Sequence, residues 1–250
     1  MARTRAADFE QQRDNILAMA ARLFAERGYA AGSIADLAAA CGISKALLYH
    51  YYRDKEQLLF DIADRYIDSL QQIVDEVAAE GLAPREHLRR LIERFMSAYE
   101  HAAAYHRVLV QDVKYLSAPH RRRVLAKQGR VVDRFADVIA AVAPQLAQRE
   151  LLKPVTMTLF GMINWTFTWL KERGPVSYAQ MAPVVADLFL GGVLALPPSA
   201  PAAPPRRARR PAPSHHLAAP PPPPPPVPDH LPRRVPRPRA SHRKLEETSS

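Results

Sequence analysis

Apolar residues recur at helical spacing through most of the first 196 positions. In 54–80, Leu58, Leu59, Ile62, Tyr66, Leu70, Ile73 and Val77 form one stripe, and Asp54 stands where a cap belongs. Ahead of it, the pattern predicts a helix over 9–27 and two short ones. Ser33 precedes the stripe Ile34, Leu37, Ala38 as an N-cap. Gly42 breaks that helix by allowing positive φ, Ile43 fills the angle, and Ser44 caps the next helix, where Leu48 and Tyr52 point inward. Gly81 and Pro84 introduce a helix over 85–103, and Pro119 sits in the first turn of one running to 142. Pro144 closes it. Helices over 148–171, with Pro154 early within it, and 178–196 follow. No period-2 strand pattern is sustained. The fold class expected is all-α, with a three-helix unit at 9–56, a helical bundle at 57–196 and a tail at 197–250.

Two short helices joined by a glycine turn make a helix-turn-helix, so DNA is the first partner to consider. With Leu48 and Tyr52 turned inward, Lys45, Ala46, Leu47, Tyr49, His50 and Tyr51 spread over the remaining faces of the second helix. Ser33, Ser44 and Lys55, at helix ends, suit phosphate contacts, as do the phenols of Tyr49 and Tyr51. Lys45 can reach guanine O6 or N7, Ala46 and Leu47 a thymine methyl, and His50 a phosphate or base edge. Tyr52 belongs to the core.

These positions resemble the TetR family of bacterial transcriptional regulators. Its pattern Gly-[Val/Ile]-Ser-Lys-x-x-[Leu/Ile]-Tyr-x-[Tyr/His]-Phe-x-x-Lys-x-x-Leu is met by Gly42, Ile43, Ser44, Lys45, Leu48, Tyr49, Tyr51, Lys55 and Leu58, with Tyr52 in place of Phe. Ile16, Ala20, Leu23, Phe24, Gly28 and Tyr29 resemble the family's first helix. Leu47 departs from the Thr, Ser or Ala common there. The resemblance implies a homodimer on a near-palindromic double-stranded operator, paired through its last two helices, and a bundle that binds a small effector. Segments 155–170 and 184–196, with Gly161, Gly191 and Gly192, are apolar enough for such an interface or for plain core.

The bundle's most unusual run is 159–169, which holds both tryptophans. Asn164 and Thr168, four apart, would share a helical face beside Phe160, Trp165 and Trp169, as in an apolar pocket with a few directing polar groups. A core or dimer interface is the alternative. With Lys171, Gly174, Tyr178 and Leu190-Gly191-Gly192, the run is similar to a TetR subgroup that responds to acyl-CoA thioesters. Such a ligand needs cations for its phosphates, which His120-Arg121-Arg122-Arg123 could supply, Arg121 and Arg122 foremost. Met96, Tyr99, Tyr105, Val113 and Tyr115 could complete the acyl end.

Net charge is +10, but from Pro197 onward the chain holds 18 of its 24 prolines and ten Lys or Arg against three acids. The basicity is therefore mostly the tail's, not the body's. Seven consecutive prolines at 220–226 predict a disordered segment with polyproline II character. Its arginines would add non-specific phosphate attraction, or it is an extension without function. A single cysteine, Cys41, excludes an intrachain disulfide and fits a reducing cytoplasm. No secretory signal or bilayer-spanning run is evident. Gly-x-Ser-x-Gly, P-loop and His-Glu-x-x-His motifs are missing, and His101 and His106, five apart, diverge on a helix, so neither an enzyme, a cofactor nor a metal site is expected. The reading is a cytoplasmic, ligand-responsive repressor. Its rivals are an activator or architectural DNA binder without a ligand, a regulator that answers to a hydrophobic drug-like molecule, and a partner-binding module whose proline-rich tail is the active part.

Overall fold

The computed structural model describes residues 2–171 and 174–196. The tail expected to be disordered, 197–250, lies outside the described residues. Helix α1 spans Ala2–Arg27, α2 Ile34–Ala40 and α3 Lys45–Tyr51. The caps are those the sequence marks. Ser33 Oγ accepts from the Asp36 N–H at 3.0 Å, with Asp36 reaching back to the Ser33 N–H, and Ser44 Oγ accepts from the Leu47 N–H at 3.1 Å. Gly42 adopts φ +65° between the two helices. Leu37, Leu48 and Tyr52 are buried with Ile16, Ala20 and Phe24 of α1. The Tyr52 hydroxyl donates to the Arg13 carbonyl at 3.2 Å, and burial pushes its pKa up to about 12.

Asp54 caps α4, Lys55–Ala79, by accepting from the Gln57 N–H at 2.8 Å. Helix α4 is the spine: α5 (Pro84–His101), α6 (Ala103–Gln111) and α7 (Ala118–Val142) all pack on it. Helices α8 (Leu152–Asn164) and α9 (Tyr178–Ala195) complete the bundle, α9 lying mainly against α5. Phe135 stands at the centre, edge-on to Phe95 at 4.8 Å and to Phe160 at 4.9 Å. No strand occurs among the described residues.

One expected helix ends early with an unexpected helix behind it, and another is divided. The one expected over 85–103 stops at His101, Ala102 leaves the helical region (φ −119°, ψ 37°), and α6 begins directly after it. No glycine or proline marks that kink. The helix expected over 148–171 becomes a 3-10 turn at Pro144–Arg149, then α8, then a second turn at Trp165–Thr168. The hydroxyls of Thr166 and Thr168 donate to the carbonyls of Ile163 and Trp165 at 2.6 and 2.7 Å. Such local bonds to carbonyls three residues back compete with the α-helical ladder and favour its tighter ending.

Helices α4 and α7 are laced by polar contacts on one side. Glu56 accepts from the Ser117 N–H and lies 3.0 Å from His120 Nδ1, and His120 stacks on Phe60. Further along, Arg123 pairs with Asp64 at 3.1 Å, and Lys127 bridges Asp64 and Asp68 at 2.7 and 2.6 Å. The lacing ties the helix that leaves the helix-turn-helix to the bundle.

Candidate nucleic-acid interface and buried cavity

The faces of α3 that do not pack leave Lys45, Ala46, Leu47, Tyr49 and His50 exposed around a short rod anchored by Leu48 and Tyr52. Lys45 Nζ lies 5.9 Å from the centre of the Tyr49 ring, so a cation and a phenol share one edge. Tyr51 differs from expectation, since it stacks on Phe9 at 4.7 Å and is half-buried. His50 meets the same Phe9 edge-on at 5.9 Å. Ser33 and Ser44 are exposed, but each hydroxyl is engaged in capping its own helix. Lys55 turns back toward the end of α1. Its amine donates to the Ala30 carbonyl at 3.3 Å and lies 4.3 Å from the centre of the Tyr29 ring, and partial burial lowers its pKa. A phosphate contact by Lys55 would be made from this anchored position or after leaving it.

Behind this unit, a cavity of about 190 Å³ lies inside the bundle. Ile67 and Leu70 of α4, Phe95 and Tyr99 of α5, and His106, Leu109 and Val110 of α6 form part of its wall. Gln128, Val131 and Val132 of α7 and Met157, Phe160 and Asn164 of α8 form the rest. Val110 and Met157 are exposed while the α4 and α5 residues are buried, so the cavity opens between α6 and α8 beside α7. No lining residue carries a formal charge. The Tyr99 hydroxyl donates to Asn164 Oδ1 at 2.8 Å, and the His106 ring stacks on Tyr99 at 3.8 Å. Burial pushes the His106 pKa down to about 4, so the imidazole is neutral at physiological pH.

Of the residues singled out by sequence, Tyr99, Phe160 and Asn164 meet at this cavity. The others are elsewhere. Met96 is fully buried in the core, and Tyr115 stacks on Tyr29 at 5.4 Å, just past the end of α1. Because the backbone changes to a 3-10 turn after Asn164, Thr168 does not share its face, and Trp165 and Trp169 are 63% and 51% exposed instead of walling a pocket. The basic run divides: His120 and Arg123 are committed to α4, while Arg121 and Arg122 are exposed and make no ion pair among the described residues. On α6 the sequence pointed to Tyr105, whereas His106, Leu109 and Val110 line the cavity, because α6 itself and hence its inward face were not expected. Gln128 and Val132 lie on the α7 stripe that a helical projection places beside Phe135, and that was the available signal.

Known proteins match both halves. The family model for bacterial regulatory proteins of the tetR family covers residues 16–62, and that for the tetracyclin repressor-like C-terminal domain covers 81–193. A crystal structure of a TetR-family transcriptional regulator from Bordetella parapertussis is 35% identical with a TM-score of 0.70, matching 75% of this chain and 98% of that one. The HTH-type transcriptional repressor KstR2 of Mycolicibacterium smegmatis is 26% identical over 185 residues, 73% of this chain and 90% of that protein. The structure of AibR in complex with isovaleryl coenzyme A and operator DNA is 26% identical with a TM-score of 0.63, over 71% of this chain and 97% of that one. These are DNA-binding regulators, not enzymes. With a capped helix-turn-helix under one model and a hollow helical bundle under the other, the chain belongs to the TetR family of transcriptional regulators.

Proposed function

We propose that this chain is a cytoplasmic homodimeric repressor whose hold on a near-palindromic operator is released by a short-chain acyl-CoA thioester. The observation that carries this reading is the uncharged, largely apolar cavity, one wall of which is α4, the helix that continues from the recognition unit. A ligand that prefers one setting of α4 shifts DNA affinity by linkage. At about 30 Å³ per water-sized group, the cavity holds roughly six non-hydrogen atoms, the size of a short branched acyl group. The similarity to AibR, whose structure was obtained with isovaleryl coenzyme A and operator DNA, supports the class. Arg121 lies on the α7 stripe of Leu125, Gln128 and Val132, two of which line the cavity, and with Arg122 it offers cations to a phosphate-bearing group outside.

Pairing is supported by α8 and α9. Tyr178–Ala195 is apolar enough in length and composition to cross a membrane, yet one face, including Ala182, Val185 and Phe189, is buried against the bundle. Val184, Leu188 and Leu194 remain exposed on the other side, with Met157, Trp165 and Trp169 exposed in and after α8. A second copy would cover these apolar groups and set two recognition helices on one operator.

The test is binding of the full chain to the DNA upstream of its own gene at fixed salt, titrated with isovaleryl-CoA, longer acyl-CoA esters and the free acids. Release by a short ester and not by its acid is the expected result. Binding that no ester disturbs would overturn the effector class, and tighter binding with ester would make the protein a ligand-dependent binder instead.

A further inference from the structure

We infer that Asn164 is the specificity-determining group of the cavity, presenting its carboxamide N–H to the carbonyl oxygen of a neutral acyl ligand, with Tyr99 and His106 as its positioning residues. This rests on the cavity being the effector site. A carboxamide offers one acceptor oxygen and two N–H donors. The Tyr99 hydroxyl donates to Oδ1 at 2.8 Å, which fixes how the group is turned and leaves the N–H donors for other partners. Nδ2 makes no hydrogen bond among the described residues, and Asn164 is half-buried in the cavity wall.

The backbone at the same residue is braced from a second helix. His106 Nε2 lies 3.4 Å from the Asn164 carbonyl oxygen, an acceptor, so Nε2 carries the imidazole proton. The same ring stacks on Tyr99, so α5 and α6 jointly hold the end of α8. A donor fixed before the ligand arrives binds an oxygen without first being ordered.

The surroundings select the oxygen. With no charged residue in the wall and the imidazole neutral, a carboxylate would shed its water against no counter-charge, whereas a thioester or ketone carbonyl needs one donor and brings no charge. A hydrocarbon of the same shape would leave the Asn164 N–H groups without a partner.

The experiment compares isovaleryl-CoA with its thioether analogue, 3-methylbutyl-CoA, in which CH2 replaces the carbonyl, by titration calorimetry of the full chain. The wild type should bind the thioester about tenfold more tightly, the range of one hydrogen bond to a fixed donor. Asn164→Ala should bring that ratio close to one, the thioester losing more affinity than the thioether, and Tyr99→Phe should give an intermediate ratio. Equal binding of the two by the wild type, or an Asn164→Ala loss shared equally by both, would overturn the carbonyl assignment and leave the cavity as the effector site. Failure of the wild type to bind either would overturn the acyl-CoA reading itself, a separate outcome.

Discussion

Glu56, in the first turn of α4, accepts a hydrogen bond from the backbone N–H of Ser117 at 2.8 Å, joining the end of the helix-turn-helix to the start of α7. Bonds from Ser117 and then from His120 hold the Glu56 carboxyl below its usual range. A carboxylate with a depressed folded pKa stabilises the fold above its unfolded pKa, about 4.3, and loses that contribution as pH falls through the folded value. Glu56→Gln should therefore cost about 1 kcal/mol at pH 7, a value discounted for partial exposure. Urea unfolding of both proteins should show the gap closing below about pH 4. A gap independent of pH would mean that the charge contributes nothing.

At Gly42 the requirement is conformational. Its φ is +65°, and a Cβ added there would meet nothing within 4 Å. Gly42→Ala should cost about 1 kcal/mol from the left-handed backbone alone, and Gly42→Asn less, because asparagine tolerates that region. Thermal unfolding should rank Gly above Asn above Ala. An alanine variant as stable as the parent would show that the turn can relax to negative φ.

Lys45 and Tyr49 sit on one exposed edge of α3 and support no packing. Lys45→Ala with Tyr49→Phe should leave the unfolding temperature unchanged and weaken operator binding by about 2 kcal/mol. If Lys45 meets a phosphate, the slope of log affinity against log salt should fall by about 1. If it meets guanine, the slope should hold and base preference should relax. Unchanged affinity would remove this edge from the interface.

Leu188 is 63% exposed on α9 beside Val184. Leu188→Glu would place a carboxylate in each copy of a twofold interface without touching the bundle core. Sedimentation should report a folded monomer, and operator affinity should fall with it, because a lone head loses the gain from paired binding. A variant that remains dimeric would move the interface off this face.

Where a local signal existed, the sequence was sufficient. Ser33, Ser44 and Asp54 each cap the helix that follows, Leu48 and Tyr52 are buried, and Gly42 takes positive φ. The caps and the turn depend on neighbours within four residues, and the buried positions follow from helical spacing alone. The cavity was only partly legible because it depends on two breaks with no glycine or proline: the kink at Ala102, which turns His106 into the bundle, and the change to a 3-10 turn after Asn164, which turns Trp165 and Trp169 outward. Aromatic character alone did not reveal which way those rings would face.

Lys127 is the most buried cation of the α4–α7 lacing, with 11% of its side chain exposed between Asp64 at 2.7 Å and Asp68 at 2.6 Å. Asp64 is equally enclosed and also meets Arg123, whereas Asp68 is half-exposed. Removing the ammonium leaves Asp64 in a poorly solvated place with only an outlying arginine as partner. Lys127→Met should thus destabilise the fold by about 3 kcal/mol, because an unpaired buried charge costs more than the pair contributes. Lys127→Met with Asp64→Asn removes both charges and should recover most of the loss. Urea unfolding of the two single variants and the double closes the cycle, and the coupling it yields separates charge from packing. If the double variant is no better than Lys127→Met alone, the loss does not come from an unpaired Asp64 charge, and the Lys127–Asp64 pair is incidental to stability.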